Sequence, residues 1–180
     1  MTLLTSKRER WLWLGSLVIV ITIYLTLGLA RDPASLLEAR GLLDALYLVG
    51  FLLVIATIAV QGLKGRFGNL ELGLMLGVTA VYLLLFIRLA NPLERTHLIE
   101  YSVLAIFIFE ALKERKQNGG SVPSPALVAF ILTALLGWLD EGIQAVLPNR
   151  IYDLRDIVFN CLAGFVAIAA NIILGRARKL

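Results

Sequence analysis

Six apolar runs, separated by short polar segments, organise this chain. They fall at about 11–30, 43–63, 70–90, 97–112, 124–146 and 155–174. Roughly 20 apolar residues carry a helix across a bilayer, and most of these runs approach that length. In hydrocarbon, every backbone N–H and C=O must be satisfied within the protein, so such runs are expected as helices. The pattern predicts an all-α fold: a polytopic transmembrane helical bundle of about six helices. Little of the 180 residues remains for anything but a single membrane domain. The first run ends in a weakly cleavable "GLA" at Ala30. Its length exceeds the roughly 7–15 residues of a signal-peptide core, so a retained helix is expected.

The breaks between runs carry turn chemistry. Gly65 and Gly68 mark one turn, and "QNGGSVPSP", Gln117 to Pro125, marks a polar loop. Asn91-Pro92 and Pro148-Asn149 mark turns on the opposite side. Asp153 is placed to cap the last helix, with Asp156 three positions on, near the favourable end of the helix dipole. No internal repeat is visible.

Composition agrees with this picture. The chain is 59% hydrophobic, with a mean hydropathy of +0.84, more apolar than one soluble core requires. Charge adds an orientation. Of the 17 Lys and Arg, eleven fall on the side that carries both termini, among them Lys7, Arg8, Arg10, Lys113, Arg115 and Lys116. The other side has six: Arg31, Arg40, Arg88, Arg95, Arg150 and Arg155. Basic residues favour the cytoplasmic side, so both termini are expected there. Trp11 and Trp13 beside the first basic cluster suit an interfacial anchor. Nine of the 13 acids lie on the outer side, which is therefore net negative. The overall charge of +4 is thus a topology signal, and nothing else suggests a nucleic-acid partner. The single cysteine, Cys161, excludes an internal disulfide.

The runs between 11 and 90 carry few polar groups away from their ends and read as scaffold. The second half differs. The stretch "LDEGIQAVLPNRIYDLRDIVFN", Leu139 to Asn160, holds Asp140, Glu141, Asp153 and Asp156 between two apolar runs. His97, Glu100 and Tyr101 share one helix face at i, i+3 and i+4. Glu141 and Gln144 share another, and Asp153, Asp156 and Asn160 a third, with Gly164 continuing it. Three helices thus bring polar stripes to one depth, near the outer membrane boundary. Ionisable groups at such depth are costly, which favours their meeting across helices instead of facing lipid.

Ordinary roles exist for each residue. His97 suits an interfacial hydrogen bond, Asp153 a helix cap, Tyr101 a packed ring, and Gln144 and Asn160 interhelical bonds of about 0.6–2 kcal/mol. Glu100 and Glu141 are harder to place so, because each borders a long apolar run.

Two blocks in order, "ERTHLIEYSVL" (Glu94–Leu104) and "DEGIQAVLPNRIYDLRDIVFNCLAG" (Asp140–Gly164), resemble the VanZ-like family of bacterial membrane proteins. The positions that carry the resemblance are His97, Tyr101, Asp140, Glu141, Gln144, Pro148, Arg150, Asp156, Asn160 and Gly164. The family-like region spans about residues 94–174, and Glu94-Arg95 stands where an Asp-Lys is common. The resemblance implies a multi-pass protein of the bacterial cytoplasmic membrane and cell envelope. The family takes its name from a member of glycopeptide-resistance clusters, linked to teicoplanin resistance.

Three functions follow as expectations. The first is an outer-leaflet polar pocket for a lipid head group, a lipid-linked wall precursor or a lipophilic ligand. Glu100, Tyr101, Asp140, Gln144, Arg150 and Asn160 would line it, and Arg150 has the chemistry to bond a phosphate or carboxylate in pairs. The second is an intramembrane hydrolase or transferase acting on a lipid-linked phosphate. There His97 would be the general acid or base, oriented by Glu141 or Asp156. His97, Glu100, Glu141 and Asp156 are also a usable ligand set for a divalent cation, although no dedicated metal or nucleophile motif is present and no cofactor is indicated. The third is a polar cluster that only joins the helices.

Overall fold

The computed structural model describes residues 5–29, 40–42, 45, 47–49, 52, 67–88, 92–147 and 153–177. Five helices account for most of them: α1 Lys7–Leu29, α2 Asn69–Arg88, α3 Pro92–Gln117, α4 Pro125–Gln144 and α5 Leu154–Ala177. Residues 42, 45, 47–49 and 52 are also helical, and the described residues include no strand. Most of the run expected at 43–63, Gly65, and the turn residues Asn91, Pro148 and Asn149 lie outside the described residues. Within α2 (Asn69–Ile87), α4 and α5 the helix is long and apolar enough to cross a membrane. The protein is a polytopic helical membrane bundle.

Helix ends follow the local chemistry. The α3–α4 loop opens with Gly119 at φ +83°, a left-handed conformation that costs glycine little. The Gly120 amide donates to the Arg115 carbonyl at 2.9 Å and the Gly119 amide to Lys116 at 3.2 Å. This paired arrangement satisfies the last carbonyls of α3. The loop closes on Ser124, whose hydroxyl accepts from the Leu127 amide, with Pro125 at the first helical position. Asp153 caps α5 as its position suggests: its Oδ1 accepts from the Arg155 amide at 2.8 Å.

The chain forms two compact units. One comprises Arg31–Arg95 and Ala169–Leu180. In it the Phe86 ring takes the edge of Tyr47, with centroids 4.8 Å apart, and the Arg95 guanidinium lies 4.7 Å above its centre.

The other unit comprises Met1–Ala30 and Thr96–Ile168 and carries every described candidate site residue. Its core is built from Leu98, Tyr101, Leu104, Ala105, Ile108, Ala129, Ala163 and Ala167, all nearly or fully buried. Small residues set the helix spacing. A Cβ added at Gly15 would overlap the Phe107 ring, so α1 and α3 pack in close contact there. A Cβ at Gly164 would lie 3.1 Å from Thr133 Cγ2 and 3.6 Å from Ala105 Cβ. Lipid is as apolar as the helix surfaces, so such close packing has to supply much of the association energy.

At the opposite end of α3 from His97, a charged network joins α1 to α3. Arg8 meets Glu110 at 3.0 Å and Glu114 at 3.2 Å, and the Ser6 hydroxyl donates to Glu114 at 2.9 Å. Buried Glu9 accepts from the Thr5 amide and hydroxyl at 2.6 and 2.7 Å and from the Trp13 indole at 3.3 Å.

Candidate functional site

The polar stripes of α3, α4 and α5 meet. Tyr101 of α3 is fully buried, and its hydroxyl lies 3.1 Å from Asp140 Oδ2 and 3.3 Å from the Leu136 carbonyl. The same Leu136 carbonyl accepts from the Tyr24 hydroxyl of α1 at 3.2 Å. His97, one turn before Tyr101, stacks against its ring with centroids 6.0 Å apart and 20° between planes. Its Nδ1 lies 3.3 Å from Asp140 Oδ2. One carboxylate oxygen of a fully buried aspartate is therefore addressed by both an imidazole and a phenol.

A second arm joins α4 to α5. Glu141, also fully buried, accepts from Gln144 Nε2 through Oε1 and from the Asp153 amide through Oε2, each at 3.2 Å. That second bond satisfies an amide at the α5 N-terminus that has no partner within the helix. The charges of Asp156, Asp140 and Asp153 all bear on Glu141, and that of Asp140 bears on Glu100. One end of this unit thus gathers several carboxyl groups, with Asp140 and Glu141 fully buried.

Asn160 completes the third stripe. It has no exposed surface, and its Nδ2 and Oδ1 have no hydrogen-bond partner among the described residues. It faces Gly137. A Cβ added there would lie 2.9 Å from Asn160 Cβ, 3.3 Å from its Nδ2 and 3.4 Å from Tyr101 Cε1. Gly137 thus lets α4 approach α5 at the point where Asn160 and Tyr101 converge.

Several expectations change in detail. The structure places the Asp140 carboxylate against His97, a neighbour that the sequence pattern did not assign to the ring. Asp140 follows Leu136 by four residues on α4, so the side chain one turn from the tyrosine-bonded carbonyl reaches His97. Glu141 points the other way, to the start of α5. Among the described residues no three His, Cys, Asp or Glu side chains are placed to hold one metal ion, so His97, Glu100, Glu141 and Asp156 do not form such a set. Arg150 lies outside the described residues. Tyr24 stands in a run that reads as scaffold, yet it reaches the site. Its hydroxyl, set between those of Thr22 and Thr26 in an apolar run, is the signal of that. Gly137 and the Leu136 carbonyl carry no signal in the sequence pattern.

Chemically, the arrangement suits holding a group and exchanging a proton between His97 and Asp140. The His97 imidazole stands with Nδ1 3.3 Å from the Asp140 carboxylate, and its two ring nitrogens are chemically distinct positions for a proton. Two hydroxyls near the site face backbone: Ser102 donates to the Leu98 carbonyl at 2.6 Å, and Thr133 to Ala129 at 2.8 Å. Comparison with protein-family models, with curated proteins and with solved structures found no match to this chain.

Proposed function

We propose that this chain is a VanZ-like protein of the bacterial cytoplasmic membrane. In this reading the polar site of α3, α4 and α5 holds the head group of a lipid or lipid-linked wall component at the outer leaflet. The observation that carries the reading is the full burial of Asp140 and Glu141 inside a helix apolar enough to span a membrane. Charged groups at such depth are costly and mark functional sites by default. Simple joining of helices needs fewer of them, since neutral amides and hydroxyls bond across helices as well. Both termini are cytoplasmic in this reading, which puts the site on the outer side, and a role in teicoplanin-type resistance belongs to it.

The test uses the full chain in a bacterial membrane. Asp140→Asn keeps shape and removes charge. We expect it to change the lipids that co-purify with the protein, and any teicoplanin tolerance the wild type confers, at unchanged membrane abundance. Unchanged co-purifying lipids and unchanged tolerance for both Asp140→Asn and His97→Gln would return the cluster to a purely structural role.

The His97–Asp140 contact favours a second reading, acid–base catalysis on a lipid-linked phosphate. A carboxylate set beside an imidazole holds the ring's orientation for proton transfer. Release of phosphate from a lipid-linked phosphate by the purified wild type, lost in His97→Gln, would select it over binding.

A further inference from the structure

We infer that the start of α1 holds an anionic phospholipid, with Lys7 and Arg10 on its phosphate and its acyl chains along the exposed face of α1. This surface lies at the far end of α3 from His97, and the inference does not rest on the reading proposed for the polar site.

The charges at this end do not balance. Every acid of the unit formed by Met1–Ala30 and Thr96–Ile168 is among the described residues. Three of them, Glu9, Glu110 and Glu114, stand where α1 meets the end of α3, and all three are already bonded. Arg8 pairs with Glu110 and Glu114, Lys113 with Glu110 at 2.6 Å, and Arg115 approaches Glu9 at 3.7 Å. Lys116 donates to the Pro123 carbonyl at 3.1 Å. Lys7 and Arg10 are exposed and take part in no ion pair among the described residues. Of the chain's acids outside this unit, the run pattern sets Asp32, Glu38, Asp44 and Glu94 on the opposite side of the membrane, and Glu71 is buried. Two cations are thus left for a partner from outside the protein.

Their position specifies that partner. Lys7 and Arg10 are three residues apart and so are neighbours on one helix face. The same face continues through Trp11, Leu14, Val18, Ile21 and Leu25 at intervals of three or four residues. All five are exposed, Trp11 to 71%. Arg8 and Glu9 turn away from this face, toward α3. The tryptophans divide in the same way: the Trp13 indole donates to Glu9, whereas that of Trp11 has no acceptor among the described residues. Cations, then an indole, then an apolar stripe match a phospholipid from phosphate through glycerol ester to acyl chain. Tryptophan favours the head-group level, and basic side chains next to a membrane-spanning helix attract anionic lipids. Arg10 can also bond a phosphate in pairs. A zwitterionic head group gains less here, because its own cation offsets the phosphate. A soluble anion would leave the apolar stripe unused. A second copy of this chain would have to bring acids to this face, and those on this side already have partners.

The test uses full-length protein in nanodiscs of phosphatidylglycerol and phosphatidylcholine in equal amounts, with the retained lipids counted by native mass spectrometry. We expect wild type to retain phosphatidylglycerol about tenfold over phosphatidylcholine, the order of preference that two basic side chains give at a membrane surface. Lys7→Gln combined with Arg10→Gln should bring the ratio to about twofold or less. Melting should hardly change, since neither side chain has an ion pair to lose. The swap Lys7→Arg with Arg10→Lys keeps both charges and should keep the preference. Lys113→Gln with Lys116→Gln removes equal charge from the same end, at residues that are already bonded, and should leave the ratio near that of wild type. Equal retention of the two lipids by wild type would overturn the inference, as would an undiminished ratio when Lys7 and Arg10 are neutralised. An equal fall in the Lys113 and Lys116 variant would reduce the effect to overall charge and would overturn the site. Glycerol phosphate, the same anion without acyl chains, should fail to displace phosphatidylglycerol when added in excess; displacement would overturn the lipid as occupant in favour of a soluble anion.

Discussion

Replacing Tyr101 and Tyr24 by phenylalanine, singly and together, tests how the site is held. Both hydroxyls meet the Leu136 carbonyl, at 3.3 and 3.2 Å, but only Tyr101 also meets a carboxylate, Asp140 Oδ2 at 3.1 Å. Tyr24→Phe removes one interhelical bond to a backbone oxygen, and such bonds in membrane proteins average about 0.6 kcal/mol. Tyr101→Phe also removes a bond to an ionisable acceptor with no exposed surface. Hydrogen bonds to charged groups are worth about 1.5–3 kcal/mol, and the membrane reference state lowers that. A loss of about 1–2 kcal/mol is expected for Tyr101→Phe. The double variant leaves the Leu136 carbonyl without either phenol, so its loss should exceed the sum of the singles by about 0.5 kcal/mol or more, as groups sharing a partner do. Reversible unfolding in mixed micelles, analysed as a double-mutant cycle, measures all three. A Tyr24→Phe loss equal to or larger than that of Tyr101→Phe, or strict additivity, would refute the shared-carbonyl account.

Other outcomes follow from the same structure. Glu9 lies ahead of the first span; burial alone would raise its pKa, but bonds from Thr5 and Trp13 and the charge of Arg115 hold it below the usual carboxylate value of 4.5. A depressed native pKa stabilises the fold above the ordinary carboxylate range and loses that effect as pH falls through the native value. Melting should therefore drop in acid for wild type and depend less on pH for Glu9→Gln; parallel pH profiles would contradict this. Gly15→Ala, which drives a methyl into Phe107, should cost about 1–3 kcal/mol, whereas Gly73→Ala meets nothing within 4 Å and should be neutral or stabilising. Glu141→Gln retains an oxygen for the Asp153 amide and should stay folded, while Glu141→Ala orphans that amide and should lose about 1–3 kcal/mol. Equal melting of the two Glu141 variants would argue against the tether. Cysteine labelling of intact cells should reach sites introduced near Arg150 and miss the 117–123 loop; the reverse pattern would invert the topology.

Much of the architecture was legible in one dimension, because a bilayer leaves the backbone few choices. Long apolar runs must be helices there, so the helical bundle, the loop after Gln117 and the Asp153 cap could all be read locally. The i, i+3 and i+4 spacing placed His97 beside Tyr101 for the same reason. What the pattern could not decide was pairing. Asp140 and Glu141 are neighbours in sequence, but successive residues on a helix point about 100° apart, so one turns to His97 and the other to the start of α5. Tyr24 joins the site across more than 100 residues, a contact set by how closely α1 packs on α3 and α4 and not by any local periodicity. Gly137 and Asn160 meet because two helix backbones come close enough to exclude a methyl group, and such proximity exists only once the helices have packed.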